Sequence, residues 1–173
     1  MAPEHGLELP VLRGERLTLR PALDADVPAL AALLAEPDVA RWWGRYDAAR
    51  VRAELAEIPS WAIDVDGRVG GWLHANEQAD PDFRSVAFDV LVGERLRGGG
   101  YGREALRLAI RWLADARGHH RFTIDPAVEN DRAIRAYEAV GFRRVGVLRR
   151  YERAPDGRWR DGLLMDLLIE ELR

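Results

Sequence analysis

Apolar positions in the first third of the chain change from strand spacing to helix spacing. In ERLTLRP (15–21), Leu17 and Leu19 alternate with polar residues, which is typical of a half-buried strand. Over 24–36 the apolar residues recur at helical spacing, and Asp24 is a candidate N-cap. Proline and glycine interrupt 37–47, which we interpret as a loop or a short helical turn, and 48–58 fits a second short helix.

The middle of the chain predicts a hairpin and then a buried strand. Apolar residues alternate in 60–77 on both sides of Asp66-Gly67, a dipeptide typical of tight hairpin turns. The stretch SVAFDVLVG (85–93) is almost continuously apolar, as expected of a strand in the middle of a sheet. A glycine-rich stretch follows, and then a helix with an apolar stripe over 101–117.

The last third predicts a buried strand, a helix and a final hairpin. The strand covers 120–126, the helix covers 129–142, and the hairpin turns at 155–157. Because no repeat, low-complexity segment or linker divides the chain, we expect a single domain over 1–173. The order of elements predicts an α+β fold in which about four α-helices flank a mixed central β-sheet.

Composition excludes several kinds of chemistry. The chain has no cysteine and no lysine, which excludes disulfides, thiolate metal sites, a cysteine nucleophile and a P-loop or Schiff-base lysine. A net charge of −3 gives no basic surface for nucleic acid and mildly favours a cationic small molecule. Because a secretory pattern and a long apolar run are missing from the sequence, we expect a cytoplasmic monomer or homodimer that needs no metal and no membrane.

The stretch RLRGGGYGREAL (95–106) predicts an anion site. It places four glycines within five positions, between a strand and the start of a helix. Amides at a helix N-terminus lack helical acceptors, and glycines let a phosphate approach them. The spacing does not fit a Rossmann fingerprint, and a Walker loop would need a lysine. The candidate binding residues are Arg97, Gly98, Gly99, Gly100, Tyr101, Gly102 and Arg103.

Two blocks of sequence resemble the GNAT superfamily of N-acetyltransferases. Arg97-x-x-Gly100-x-Gly102 resembles the loop with which that family holds the pyrophosphate of acetyl-coenzyme A, and NDRAIRAYEAVGF (130–142) resembles its second motif. The resemblance implies direct transfer of an acetyl group from acetyl-CoA to an amine, with no acyl-enzyme. It also implies that cofactor contacts come from Leu91, Val92, Asn130 and Ala133.

Asp89 is the candidate general base, because it is an acid inside an otherwise apolar strand. Burying a carboxylate is costly unless it has a partner, and a cationic amine would be one. The alternative is a structural aspartate bonded to a loop or an arginine. The resemblance implies that Tyr137 is the general acid facing the thioester sulfur, and that backbone N–H groups around Leu91 and Val92 polarise the carbonyl. Periodicity alone would make Tyr137 a core aromatic.

Within the superfamily, the chain most resembles the aminoglycoside 6′-N-acetyltransferases, through VARWWG (39–44), FDV (88–90) and the Asp125-Pro126 segment. Carboxylates and aromatic faces suit polycationic sugars, so the acceptor, a small-molecule amine, is expected to bind at Trp42, Trp43, Asp89 and Asp125. Two alternatives remain open. One is an acetyltransferase of ribosomal or other protein N-termini, and the other is a non-enzymatic acetyl-CoA sensor.

Overall fold

Eight strands form one mixed sheet in a computed structural model that describes residues 8–173; the first seven residues of the predicted domain lie outside the described part. The order across the sheet is β1-β2-β3-β4-β5-β6-β8-β7. The β5–β6 pair is parallel, and all other neighbouring strands are antiparallel. The strands are β1 Leu12–Arg13, β2 Thr18–Pro21, β3 Ser60–Val65, β4 Arg68–Gln78, β5 Ser85–Val92, β6 Arg121–Ile124, β7 Arg143–Arg153 and β8 Trp159–Leu168.

Five α-helices cover the sheet, and the predicted α+β fold is confirmed. They are α1 Val27–Leu34, α2 Pro37–Trp43, α3 Ala48–Glu57, α4 Tyr101–Arg117 and α5 Asp131–Val140. Helix α2 lies within 37–47, the segment for which the sequence predicted either a loop or a short helical turn. Pro37 begins it, where a missing N–H costs nothing, and Gly44 ends it with a positive φ of 84°.

The prediction that Asp24 caps α1 is wrong. Asp24 lies in a short 3₁₀ turn ahead of the helix, and its carboxylate pairs with Arg52 at 2.7 Å. The N-cap position belongs to Asp26, which accepts both terminal guanidinium nitrogens of Arg20 at 2.8 Å instead of capping the helix. This ion pair lowers the pKa of Asp26. A bidentate arginine from the neighbouring strand thus takes the carboxylate at the N-cap position, and the predicted cap, Asp24, lies outside the helix.

Local chemistry explains the elements that the sequence predicted well. Asp66 and Gly67 both have positive φ, 55° and 73°, as a tight hairpin turn of this type requires. Helix α4 has the predicted bounds, because its buried residues follow the helical period and Gly118 ends it in the left-handed conformation.

Two hydrophobic cores lie on opposite faces of the sheet. Helices α4 and α5 pack with residues such as Leu73 and Phe88 on one face, and helices α1–α3 pack with Trp72 and Leu91 on the other. Neighbouring residues of β4 and β5 therefore face different cores, since side chains alternate along a strand. This alternation decides which residues of β5 reach which side of the molecule.

Candidate active site

The central sheet splits at the second half of β5. That strand pairs with β4 along its whole length, from Gln78–Ser85 to Gly71–Val92. With β6 it pairs only at Val86 and Ala87. Beyond Ala87 the two parallel strands diverge, so one edge of β5 has no ladder partner there. Two cavities adjoin this gap.

The first cavity, of about 360 Å³, is lined by the glycine loop, the end of β5 and helix α5. Gly98 and Gly100 have positive φ, 80° and 83°, and Gly100 occupies the N-cap position of α4. The first intrahelical bond runs from the Glu104 N–H to the Gly100 carbonyl at 3.1 Å. The amides of 101–103 come before that bond and have no helical acceptor, so they are available to an anion.

Arginine side chains make this cavity basic. Arg97 and Arg103 come from the loop, and Arg132 and Arg135 come from α5; all four line the cavity with a single carboxylate, Asp38. Arg97 pairs with Asp38 at 2.9 Å, which ties the loop to α2. The sequence analysis missed Arg132 and Arg135. Their position within the second motif could have suggested a role in the site. The sequence could not show it, because the packing of α5 decides which of its faces lies at the gap.

Most of the predicted cofactor residues line the first cavity. These are Leu91, Val92, Arg97, Gly98, Gly100, Tyr101, Gly102, Arg103, Asn130 and Ala133. Gly99 does not line it, and its carbonyl accepts a bond from Arg16 at 2.7 Å. Asn130 caps α5, because its side chain accepts from the Ala133 N–H at 3.2 Å. A Cβ on Gly102 would lie 3.1 Å from Val92 Cγ2, so glycine keeps this wall of the cavity clear.

The second cavity, of about 380 Å³, holds four carboxylates. They belong to Glu54, Asp89, Asp125 and Glu152, and three arginines also line the space. Glu54 accepts from the Tyr46 hydroxyl at 2.7 Å, Asp125 accepts from Tyr151 at 2.8 Å, and Glu152 pairs with Arg160 at 2.7 Å. Asp89 is the member of the set that has no donor or ion-pair partner among residues 8–173.

The surroundings of Asp89 favour its protonated form. Its side chain is open to the cavity, yet that cavity lies deep among protein atoms, so burial raises the pKa of Asp89 to about 6, with smaller contributions from the charges of Asp125, Glu54 and Glu152. Burial also raises the pKa of Asp125, against the hydrogen bond from Tyr151. A positive charge in this cavity would relieve both carboxylates.

Tyr137 lies where the two cavities meet. It lines both, together with Trp42, Trp43, Val90 and Asn130. Burial and the nearby charges of Asp89 and Asp125 raise the pKa of its hydroxyl above the ordinary range, so the phenol stays protonated at neutral pH. A neutral hydroxyl can donate a proton or a hydrogen bond to a group in the gap.

Trp42 and Trp43 form part of the wall between the cavities, and they differ in their neighbours. Trp43 stacks on Trp72 at 6.4 Å and belongs in part to the core beneath α1–α3. Trp42 instead has the guanidinium of Arg160 5.5 Å from its ring centroid. Its face therefore already contacts a cation, which is the interaction predicted for the acceptor.

His74 is a cavity residue that the sequence analysis missed. It is the cross-strand partner of Asp89 and lines the acidic cavity. It is 2% exposed, its Nε2 has no hydrogen-bond partner within residues 8–173, and burial lowers its pKa to about 4. The histidine is therefore neutral at physiological pH. A lone histidine in a strand gives no signal of a functional role in the sequence. Its place in the cavity follows from the β4–β5 register, which sets it opposite Asp89.

In the part of the chain that the structure describes, no group of three or more histidine and carboxylate side chains could hold a metal ion. None of the helices described has both the length and the apolar character needed to cross a membrane.

Comparison with known proteins places this geometry in a family. Residues 16–143 match the model of the acetyltransferase (GNAT) domain. Over 165 residues the chain is 26% identical to the aminoglycoside N(6′)-acetyltransferase type 1 of Klebsiella pneumoniae, covering 83% of this chain and 80% of that protein.

Solved structures show the same fold. Mycobacterium smegmatis RimJ, in complex with CoA-disulfide, superimposes with a TM-score of 0.81 and 26% identity, covering 94% of this chain and 89% of that one. The ribosomal-protein-alanine N-acetyltransferase of Brucella melitensis superimposes with a TM-score of 0.72 and 28% identity, covering 87% and 98%.

Proposed function

The chain belongs to the GNAT family of acetyl-CoA-dependent N-acetyltransferases, and on that premise we propose that its acceptor is a small polycationic amine, most specifically the 6′-amine of an aminoglycoside. The observation that carries the proposal is the acidic cavity beside the gap, where Asp89 has a raised pKa and no protein partner. The similarity to an aminoglycoside N(6′)-acetyltransferase supports the same acceptor class.

The residues of the basic cavity fit coenzyme A. Free amides at the start of α4 and the arginines around them suit a diphosphate, and the missing side chain of Gly102 leaves room for it. When bound, acetyl-CoA supplies the thioester that is attacked. Leu91 and Val92 both line this cavity beside the unpaired edge of β5. The Gly93 N–H bonds to Gly70 of β4, so by alternation the Leu91 N–H also faces β4 and the Val92 N–H faces the gap. We therefore assign the Val92 backbone N–H to polarising the thioester carbonyl.

Asp89 acts as the general base in this proposal. The acceptor enters as an ammonium, and an ammonium has no lone pair with which to attack. The Asp89 carboxylate takes one proton from it, which leaves the neutral amine beside the gap. A carboxyl whose pKa is about 6 is ionised at neutral pH and still holds a proton better than an ordinary aspartate does.

Tyr137 acts as the general acid. Attack forms the C–N bond, and its completion breaks the C–S bond and leaves a thiolate. Tyr137 lies at the junction of the two cavities with its phenol protonated, so it is placed to give that proton to the departing sulfur. The second proton, which the attacking nitrogen loses as the amide forms, then restores the phenol. The proton gained by Asp89 then returns to solvent through the open cavity.

The aromatic and acidic walls explain the preference for a polyamine sugar. Trp42 and Trp43 line the acceptor cavity as an apolar wall, and Asp125, Glu54 and Glu152 supply charge for amines that do not react. A protein N-terminus carries one ammonium and an extended backbone, for which this set of carboxylates has no counterpart. The similarity to a ribosomal-protein-alanine acetyltransferase makes that substrate the competing hypothesis.

Steady-state kinetics with acetyl-CoA test the proposal. The acceptors are kanamycin-type and gentamicin-type aminoglycosides and peptides with an N-terminal alanine, with thiol release as the readout. We expect kcat/KM for an aminoglycoside to exceed that for the peptides by roughly 100-fold or more, because a site built for polar groups can discriminate by up to about 10⁴-fold to 10⁵-fold. If the peptides are turned over equally well or better, the proposed acceptor is wrong and the protein acetylates protein N-termini.

A further inference from the structure

We propose that Tyr151 is a positioning residue that orients the Asp125 carboxylate toward the acceptor cavity, and that Asp125 so held selects acceptors with a second ammonium group. The inference rests on the proposed function, because it requires a cationic acceptor in that cavity. The Tyr151 hydroxyl donates to Asp125 Oδ2 at 2.8 Å. Three separate features of the β7–β8 hairpin hold the tyrosine in this place.

The first feature is a bulge in β7. The ladder runs from the Leu148–Gly162 pair to the Glu152–Arg160 pair, so β7 has three residues, 149–151, opposite the single residue Asp161. Such a bulge bends a strand and redirects a side chain. Without it, Tyr151 would follow the regular alternation of β7.

The second feature is backbone strain at the bulge. Arg150 has a φ of +51°, which is rare and unfavourable for a residue with a side chain. Asp161 stabilises this conformation, because its Oδ1 accepts from the Arg150 N–H at 2.7 Å. Strain of this kind persists where the surrounding structure requires it, and here it lies one residue from Tyr151.

The third feature is the space for the tyrosine ring. A Cβ on Gly162 would lie 2.8 Å from Tyr151 Cδ1, so the ring can lie across β8 only because residue 162 is glycine. Its φ is not in the left-handed region, which means that the backbone itself does not require glycine there. The glycine therefore serves the position of Tyr151.

The split sheet gives the held carboxylate its role. The parallel ladder ends at the Ala87–Thr123 pair, and Asp89 and Asp125 each lie two residues beyond it. They would pair if the strands had stayed together, so after the split they line opposite sides of one gap. With Asp89 assigned to the reacting amine, Asp125 is the carboxylate available to a neighbouring ammonium on the same acceptor.

The test compares kanamycin, which carries several amino groups, with 6-amino-6-deoxyglucose, which carries one. For Tyr151→Phe we expect KM for kanamycin to rise roughly tenfold with kcat nearly unchanged, since a hydrogen bond to a charged group is lost. KM for the single-amine sugar and for acetyl-CoA should change less than about twofold. Gly162→Ala, which displaces the ring, should reproduce this pattern, and Gly146→Ala, which adds a methyl to open space in β7, should not.

A double-mutant cycle separates positioning from a general structural role. If Tyr151 acts through Asp125, the Tyr151→Phe/Asp125→Asn double variant should match Asp125→Asn alone in KM for kanamycin. Additive effects, or equal effects of Tyr151→Phe on both acceptors, would overturn the proposal.

An NMR measurement makes the test independent of the acceptor. With ¹³Cζ-labelled tyrosine, Asp125→Asn should shift the Tyr151 resonance, and Glu54→Gln should shift that of Tyr46 instead. If neither sugar is turned over while these shifts occur, the proposed function fails and the Tyr151–Asp125 pair stands. An unmoved Tyr151 resonance would contradict the pair itself.

Discussion

The two cavities that meet at the split in the sheet have nearly equal volumes, about 360 and 380 Å³, but opposite chemistry. Four arginines and one carboxylate line the first, together with the glycine loop, whereas four carboxylates and three arginines line the second. Asp89 and Val90 are consecutive, yet alternation along β5 turns the first toward the α1–α3 face and the second toward the α4 face. One strand thus separates the cavity that we propose for an anion from the cavity that we propose for a cation, and both open onto the gap beside it.

The largest effect is expected when a charge is removed from the acidic cavity alone. We expect Asp89→Asn to lower kcat/KM for the amine by roughly 100-fold or more, as loss of a general base does. Acetyl-CoA affinity, measured by calorimetry, should not change, because Asp89 does not line the basic cavity. Asp115→Asn, on the exposed side of α4, is the control and should leave both quantities unaltered.

The pH dependence tests the same residue without a mutation. With the pKa of Asp89 at about 6, the base form is lost below that pH, and kcat/KM should fall about tenfold per pH unit. This acidic limb should disappear from the residual activity of Asp89→Asn. A limb that persists in the variant would assign the proton acceptor to another group.

A side chain that enters the basic cavity should weaken the binding of acetyl-CoA. Gly102 has an ordinary φ, so Gly102→Val should fold, but its side chain would press on Val92 and enter the cavity. We expect the Kd for acetyl-CoA to rise roughly tenfold or more, as for the loss of one amide–phosphate bond. Gly146→Val is the matched control, because it points into open space. Unchanged affinity in Gly102→Val would contradict the assignment of the loop to the diphosphate.

A smaller effect is expected from the arginines that only the structure revealed. Arg132→Ala and Arg135→Ala should each raise KM for acetyl-CoA by roughly threefold to tenfold, and more at low ionic strength, because both side chains are exposed and salt screens their charges. KM for the amine should stay the same. Arg68→Ala, at the β3–β4 turn, makes the same change of charge away from both cavities. If Arg68→Ala raised KM for acetyl-CoA by the same factor, the effect would come from the net charge of the protein and not from the position of Arg132 and Arg135.

The smallest expected effect is on stability. Because the folded pKa of Asp89 lies above the unfolded value, the native state binds more protons between about pH 4 and 6, and stability falls as pH rises through that window. At pH 7.5, Asp89→Asn should therefore raise Tm by roughly 2 °C, a discounted value because the side chain is open to water. The gain should vanish near pH 4. A Tm that falls at pH 7.5 would show that the carboxylate stabilises the fold.

Features that rest on short stretches of sequence could be predicted. The Asp66-Gly67 turn, the apolar stripe of α4 and the glycine loop each depend on the conformations of a few adjacent residues. Asp89 was recognisable for a similar reason, since an acid in an apolar strand is costly without a purpose. Asp24 failed as a cap because a 3₁₀ turn separates it from the start of α1, and its carboxylate pairs with Arg52, which is distant in sequence.

Features that rest on register and packing could not be predicted. His74 faces the acidic cavity because the β4–β5 register places it opposite Asp89, and Arg132 and Arg135 face the basic one because of how α5 packs at the gap. Tyr151 reaches Asp125 through a bulge whose strain is balanced by Asp161. None of these relations is local.

The sequence by itself determined which residue types are present and so predicted the kind of chemistry: a glycine loop proposed for a diphosphate, an isolated acid proposed for a cation, and a chain without a cysteine or lysine nucleophile. Only the tertiary structure decided that β5 and β6 part after Ala87, which opens two cavities of opposite charge onto one gap. The physical reason is that turns and helical stripes are encoded by neighbouring residues, whereas the end of a ladder depends on everything packed around both strands.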